Sequence, residues 1–186
     1  VHDPVLIIGN KNYSSWSLRP WLLMKVNGIV FDEVKVALYQ QHSKAAIHAH
    51  APGGLTPYGK VPILHDGDVR IWDSLAICEY VAERWPHTSG WPDDRVSRAV
   101  ARAVSAEMHA GFGTLRSELP MNCRRSGPAA APGLLLQHEI DRVGARVCRR
   151  DSRLAGSARM DRRSALRNGS TGPVRTLRRH DQASRP

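Results

Sequence analysis

The residues best placed for chemistry are hydroxyls at the starts of two helices. In NKNYSSWSLRPWLLMK, Asn10 to Lys25, serines occupy three of four positions at Ser14, Ser15 and Ser17, and Arg19 and Pro20 follow. Serines are poor helix interior but good caps, because their hydroxyls satisfy backbone N–H groups that have no partner inside the helix. A helix beginning here directs its free N–H groups outward and makes a site for an anion or a thiolate. Plain capping accounts for the same serines. Asp73 and Ser74 open DSLAICEYVAERW in the same manner, and either residue can cap. Between the two lies Val61-Pro62. Proline has no N–H, so a Val-Pro step at a strand start leaves neighbouring backbone groups free for an extended peptide; an ordinary edge-strand proline is the alternative. Lys60, His42 and Lys44 are cations or potential cations in nearby loops, and a solvated loop charge describes each equally well. Cys78, Cys123 and Cys148 stand singly, without metal-ligand spacing, and an odd number argues against a disulfide framework. No metal is expected.

Several elements must position these groups. Val5 to Ile8 is a short buried-strand candidate. The helix after it starts between Ser15 and Arg19, takes Pro20 in its first turn, runs through Leu22, Leu23 and Val26, and stops at Gly28. IVFDEVKVAL alternates like a strand, and QQHSKAAIHAH holds one short helix before a loop rich in breakers. KVPILHDGDVRIW reads as two strands joined at Asp66–Gly67. The helix from Asp73 or Ser74 puts Leu75, Cys78 and Val81 along one face. The order is β-α-β-α-β-β-α, a small α/β sandwich. PHTSGWPDD is a linker. After it, one long helix covers RVSRAVARAVSAEMHAGFGTLRSEL, with Val96, Val100, Val104, Met108 and Leu115 as its apolar positions and His109 on its flank. Met108 and Phe112 suit core better than a substrate cleft. LLLQHEIDRVGARV forms a further amphipathic helix.

The chain has 186 residues and a formal net charge of +10. Residues 1–92 are balanced, with eight basic and eight acidic side chains, so the whole excess lies beyond Trp91. A basic tail attracts nucleic acid, yet no Phe, Trp or Tyr follows Phe112 and no finger or helix-turn-helix pattern occurs, which argues against that partner. No apolar run is long enough to cross a bilayer and no signal-peptide pattern is present, so a reducing cytoplasm is the expected setting.

Three blocks, taken in order, resemble the glutathione transferase family, nearest to its zeta class, the maleylacetoacetate isomerase group, and related bacterial members. Ser14-Ser15-Trp16-Ser17-Leu18-Arg19 is similar to the zeta Ser-Ser-Cys-Ser-Trp-Arg motif, with Trp16 for the cysteine and Leu18 for the tryptophan. TPYGKVPIL resembles the stretch whose Val-Pro peptide is cis and whose valine backbone pairs with glutathione. IWDSLAICEYV resembles the acidic-or-Gln plus Ser pair that opens helix 3. The resemblance implies an α/β thioredoxin-like N-terminal domain followed by an all-α glutathione-transferase C-terminal domain. It implies glutathione as co-substrate, a small electrophilic second substrate and a homodimer. Ser14, with Ser15 as rival, would then donate a hydrogen bond to the glutathione thiolate, helped by helix N–H groups and by the positive potential of Arg19, for which a surface or interdomain salt bridge is the alternative. Lowering the thiol pKa raises the fraction of nucleophile. Val61 and Pro62 would hold the peptide. Ser74 would take the γ-glutamyl carboxylate and Asp73 its ammonium. Lys60 would face the glycyl carboxylate. Glutathione transfer is the function so implied; a zeta-like cis/trans isomerase and a non-catalytic glutathione-binding or interaction protein are the alternatives.

The expected domains are 1–85, thioredoxin-like and glutathione-binding; 86–92, linker; 93–148, an incomplete helical domain; and 149–186, a basic low-complexity tail with the composition of a disordered segment. The family's later Trp/Phe-rich turn and Ser/Thr-x-x-Asp capping box have no counterpart here. The C-terminal domain is therefore truncated or altered, through a reading-frame shift near Cys148 or through a native divergent tail.

Overall fold

The computed structural model describes residues 2–51, 59–88, 90–127 and 131–145. Its sheet grows around β1 (Val5–Ile8), whose uninterrupted apolar run suits a central strand covered on both faces. Helix α1 (Ser15–Val26) carries the chain across to β2 (Asp32–Lys35), parallel to β1 with Val5 opposite Asp32. A parallel pair needs such a crossover. Helix α2 (Ser43–Ala49) follows, and then β3 (Ile63–Asp66) returns antiparallel to β1, with Leu6 opposite Leu64. Strand β4 (Val69–Trp72) pairs antiparallel with β3, giving the order β2-β1-β3-β4. Gly67, at φ 57°, and Asp68 are the two turn residues, one position later than the Asp66–Gly67 expected.

Alternation along β1 divides the core. Leu6 and Ile8 join Met24, Leu64, Ile77 and Val81 on the side of α1 and of α3 (Ser74–Arg84), which pack on each other. Ile7 joins Val36, Ile47 and Ile63 on the side of α2. This is the thioredoxin-like α/β arrangement that the sequence implied.

Two expectations need correction. Pro20 is the sixth residue of α1, not part of its first turn, and it is buried. Its missing N–H forgoes the bond that would go to the Trp16 carbonyl. The long helix after the linker is broken: α4 spans Arg95–Ala110 and α5 spans Gly113–Glu118. Between them Phe112 is left-handed, at φ 62° and ψ 45°, with its ring buried as core. A Cβ on Gly111 would lie 2.9 Å from the Glu107 carbonyl oxygen, so this corner is built for glycine. The linker holds a short 3-10 helix, Pro86–Thr88, and is tied to α3 where the Trp91 indole donates to Glu79 at 2.8 Å.

A further helix begins at residue 134, with Leu136 buried and Leu134 and Leu135 exposed. Everything through Asp141 belongs to one unit, Val1–Asp141; a second unit runs from Arg142 to Pro186. The tail expected over 149–186, and the departure placed near Cys148, lie outside the described residues.

Candidate functional site

The first turn of α1 is held by a relay of hydroxyls. Ser14 is the N-cap: its Oγ accepts from the Ser17 N–H at 3.3 Å and donates to Ser17 Oγ at 2.8 Å. Ser17 Oγ in turn accepts from the Gly9 N–H at 3.0 Å, tying the end of β1 to the helix. Both side chains are buried. Gly9 permits this closeness, since a Cβ there would sit 3.0 Å from Ser14 Cβ. Ser15, the first helical residue, is half-buried, and its hydroxyl makes no hydrogen bond among the described residues. Of the two candidate serines, Ser14 is thus committed to the cap and Ser15 is not.

Helix α3 starts on a strained residue. Asp73 has φ 75° and ψ 130°, a region that costs a non-glycine residue about 1–3 kcal/mol. Its Oδ1 caps the helix by accepting from the N–H of Leu75 at 2.8 Å and of Ala76 at 3.3 Å. Its Oδ2 lies 3.1 Å from His109 Nε2 on α4. The other ring nitrogen, Nδ1, is 3.3 Å from an Arg19 guanidinium nitrogen. Arginine only donates, so Nδ1 accepts and Nε2–H donates to Asp73, which assigns the neutral ring's tautomer from its partners. The same Arg19 nitrogen donates to Ser74 Oγ at 3.5 Å, and Ser74 is 1% exposed. The network therefore joins the starts of α1 and α3 to the last turn of α4. His109 is a member of it, not a bystander on the helix flank.

Trp16 closes this cluster. The Arg19 guanidinium lies 4.3 Å and the Arg116 guanidinium 4.4 Å from its ring centre, and the His109 ring meets it edge-on at 5.2 Å. Such contacts contribute about 0.5–2 kcal/mol each, according to how far they are desolvated. Arg116 also donates to the carbonyls of Gly111, at 3.0 Å, and Met108, so it caps the broken end of α4. Burial first, and then repulsion from Arg116, lower the pKa of Arg19. Cys78 is close enough to feel Arg19, yet burial pushes its thiol up to about 11 and keeps it protonated at neutral pH. Arg116 was not among the expected residues. The available signal was Gly-Phe-Gly at 111–113, which breaks the helix and turns Arg116 back onto Trp16.

The other expected residues lie just before β3 or at α2. Val61-Pro62 is a cis peptide; Pro62 is buried, and Val61 packs on the Ile7 and Ile63 cluster. Lys60 is exposed and next to Gly59, at the edge of the undescribed 52–58 segment. His42 precedes α2 without a side-chain capping bond, and Lys44 is exposed on α2. No cluster of metal-binding side chains occurs among the described residues.

Residues 13–84 match the family model for the glutathione S-transferase N-terminal domain. Among curated proteins, glutathione S-transferase T1 of Arabidopsis thaliana is 32% identical over 85 residues, 45% of this chain and 33% of that protein. A probable maleylacetoacetate isomerase of Caenorhabditis elegans is 32% identical over 115 residues, 61% of this chain and 50% of the relative. The chain thus spans a third to a half of the length of these relatives. The theta class glutathione S-transferase of Xanthomonas axonopodis pv. citri, solved with glutathione bound, superposes with a TM-score of 0.57. It is 21% identical, over 83% of this chain and 72% of that one, and at this identity the likeness speaks for the fold alone.

Proposed function

We propose that the chain binds glutathione along the edge formed by Val61-Pro62 and the starts of α1 and α3, and transfers its thiolate to a small electrophile. The observation that carries the reading is that Ser14 and Asp73 cap the N-termini of α1 and α3, two helices that pack on each other, within a segment similar to glutathione transferases. Helix N-termini favour anionic groups, here the thiolate at α1 and the γ-glutamyl carboxylate at α3. Val61 supplies backbone pairing, Asp73 receives the ammonium, and Lys60 faces the glycyl carboxylate. For Ser14 to donate to sulfur, its hydroxyl turns away from Ser17 Oγ, which keeps its bond from Gly9. Ser15 donates without any such exchange. The thiolate then attacks an electrophilic carbon, a carbon–sulfur bond forms, and the leaving group departs with its electron pair.

Calorimetry of glutathione binding to the folded chain tests this reading. Saturable binding is expected, with a thiolate absorbance appearing at lower pH than for free glutathione. Ser74→Ala is expected to lose binding, and either Ser14→Ala or Ser15→Ala to shift the thiolate titration upward. A folded chain that binds no glutathione refutes the proposal.

A second reading, glutathione-dependent cis/trans isomerisation, is favoured by the 115-residue similarity to a probable maleylacetoacetate isomerase. Regeneration of free glutathione during turnover distinguishes it. A binding protein without turnover is favoured by the buried, committed Ser14 hydroxyl; tight binding with neither activity identifies it. The proposed setting is a cytoplasmic homodimer; no described helix is long and apolar enough to cross a membrane. Sedimentation measures the assembly.

A further inference from the structure

A cleft of about 830 Å³ opens between the β1–α1 turn and the segment that follows α5. Four of the side chains around it are cationic: Lys11 and Lys35 on one wall, Arg124 and Arg125 on the other. Among the described residues, no acidic side chain lines it. Lys11 is compensated, because its ammonium lies 2.6 Å from Glu33 and over the Trp21 ring at 4.7 Å. Lys35, Arg124 and Arg125 have no ion pair among the described residues. Three uncompensated cations facing one cavity focus a positive potential that a small anion relieves.

The two walls are fastened to each other. The Cys123 N–H donates to the Asn12 carbonyl at 3.3 Å, and Asn12 Nδ2 donates to Asn122 Oδ1 at 3.0 Å. The Arg124 N–H donates to Asn122 Oδ1 at 3.2 Å, so the turn carrying both arginines is set by the asparagine that holds it to the opposite wall. Asn12 also lines the cleft, and its buried Oδ1 accepts no hydrogen bond among the described residues. That oxygen is an acceptor, so it is open to a hydroxyl or N–H group of a ligand and not to its anionic end.

We propose that this cleft binds a small organic anion, a carboxylate or a phosphate ester, and that the anion is the acidic end of the second substrate. Arginine grips an oxyanion bidentately, and Lys35 adds a point charge from the facing wall. Tyr13 lines the cleft and immediately precedes Ser14, which puts the bound anion beside the turn that leads into the start of α1. The assignment to substrate rests on the transferase reading; the anion site does not.

The test has two arms. Succinate and inorganic phosphate are titrated calorimetrically into the full chain and into Arg124→Gln/Arg125→Gln, at low and at high salt. Binding of at least one anion is expected, about tenfold weaker in the variant and weaker in salt. Which of the two binds separates a carboxylate site from a phosphate site. If the folded chain binds neither, or the variant binds both as well as the wild type, the site is refuted.

The second arm compares glutathione transfer to chlorodinitrobenzene and to chlorodinitrobenzoate. In each reaction sulfur displaces chloride, which leaves with the bonding pair, and the thiol proton passes to solvent. The double variant is expected to lose about tenfold in kcat/KM for the benzoate and less than twofold for the neutral ring. Equal losses refute the substrate role. Turnover of neither compound by a chain that still binds the anion overturns the transferase reading and leaves the anion site standing.

Discussion

Replacing Asp73 by alanine and by glycine separates what its carboxylate does from what its backbone costs. Both changes remove the cap on Leu75 and Ala76 and the contact with His109. Losing an N-cap carboxylate to alanine costs about 1 kcal/mol, and to glycine only a few tenths. The Asp73 side chain of the His109 pair is 42% exposed, so that contact contributes at most about 0.5 kcal/mol. The backbone then decides. At φ 75° alanine keeps the strain, whereas glycine relieves about 1 kcal/mol of it and gives some back through the greater entropy of its unfolded chain. Asp73→Ala is expected to destabilise by about 1–1.5 kcal/mol and Asp73→Gly by about 0.3–0.8 kcal/mol. Urea unfolding followed by tryptophan fluorescence reads this as a midpoint difference of about 0.2–0.7 M, taking a denaturant slope of about 1–3 kcal/mol per M. If the glycine variant is no more stable than the alanine variant, Asp73 is not strained and the argument fails. Glutathione binding measured on both proteins then reports the ligand role apart from stability, because both lack the carboxylate.

Gly9→Ala is expected to destabilise by about 1–3 kcal/mol, because the added methyl meets Ser14 Cβ and Leu38 at once; a wild-type melting temperature refutes this. Cys78 resists iodoacetamide in the native chain, since its thiol is half-buried and pushed up to about 11, while exposed Cys123 is alkylated; mass spectrometry of the two peptides after a short exposure distinguishes them. Glu33 is opposed by burial, yet hydrogen bonds from Lys11 and Trp21 and the charges of Lys11 and Lys25 hold it below the usual carboxylate range. A depressed folded-state pKa stabilises above the unfolded value and is lost as pH falls through the folded one. The stability advantage of wild type over Glu33→Gln is therefore expected at neutral pH and to shrink below about pH 4, read from urea midpoints at the two pH values. An advantage that does not change with pH contradicts that origin.

The α/β order was legible because each signal was local. Val5 to Ile8 is a run only a covered strand tolerates, Gly28 stops a helix at φ 67°, and Gly67 turns a hairpin. The serine and Asp-Ser starts were legible as caps, and both are caps. The broken helix was not legible, because Met108 and Leu115 keep the apolar rhythm across the break while Phe112 leaves the helix to enter the core. The cluster on Trp16 was hidden for a related reason. Arg19 and His109 are 90 positions apart, and their meeting depends on where α4 ends. The cationic cleft likewise joins segments more than a hundred residues apart, through Asn12 and Asn122.

One carboxylate closes the first turn of α3 with one oxygen and holds the last turn of α4 with the other. The two helices therefore share an end. Fraying of α4 at His109 frees Asp73 to rotate, and fraying of α3 removes the anchor of α4. At no more than about 0.5 kcal/mol the shared contact couples the two ends about twofold, so a molecule that fastens one of them lowers the population of open states at the other by up to about half without touching it.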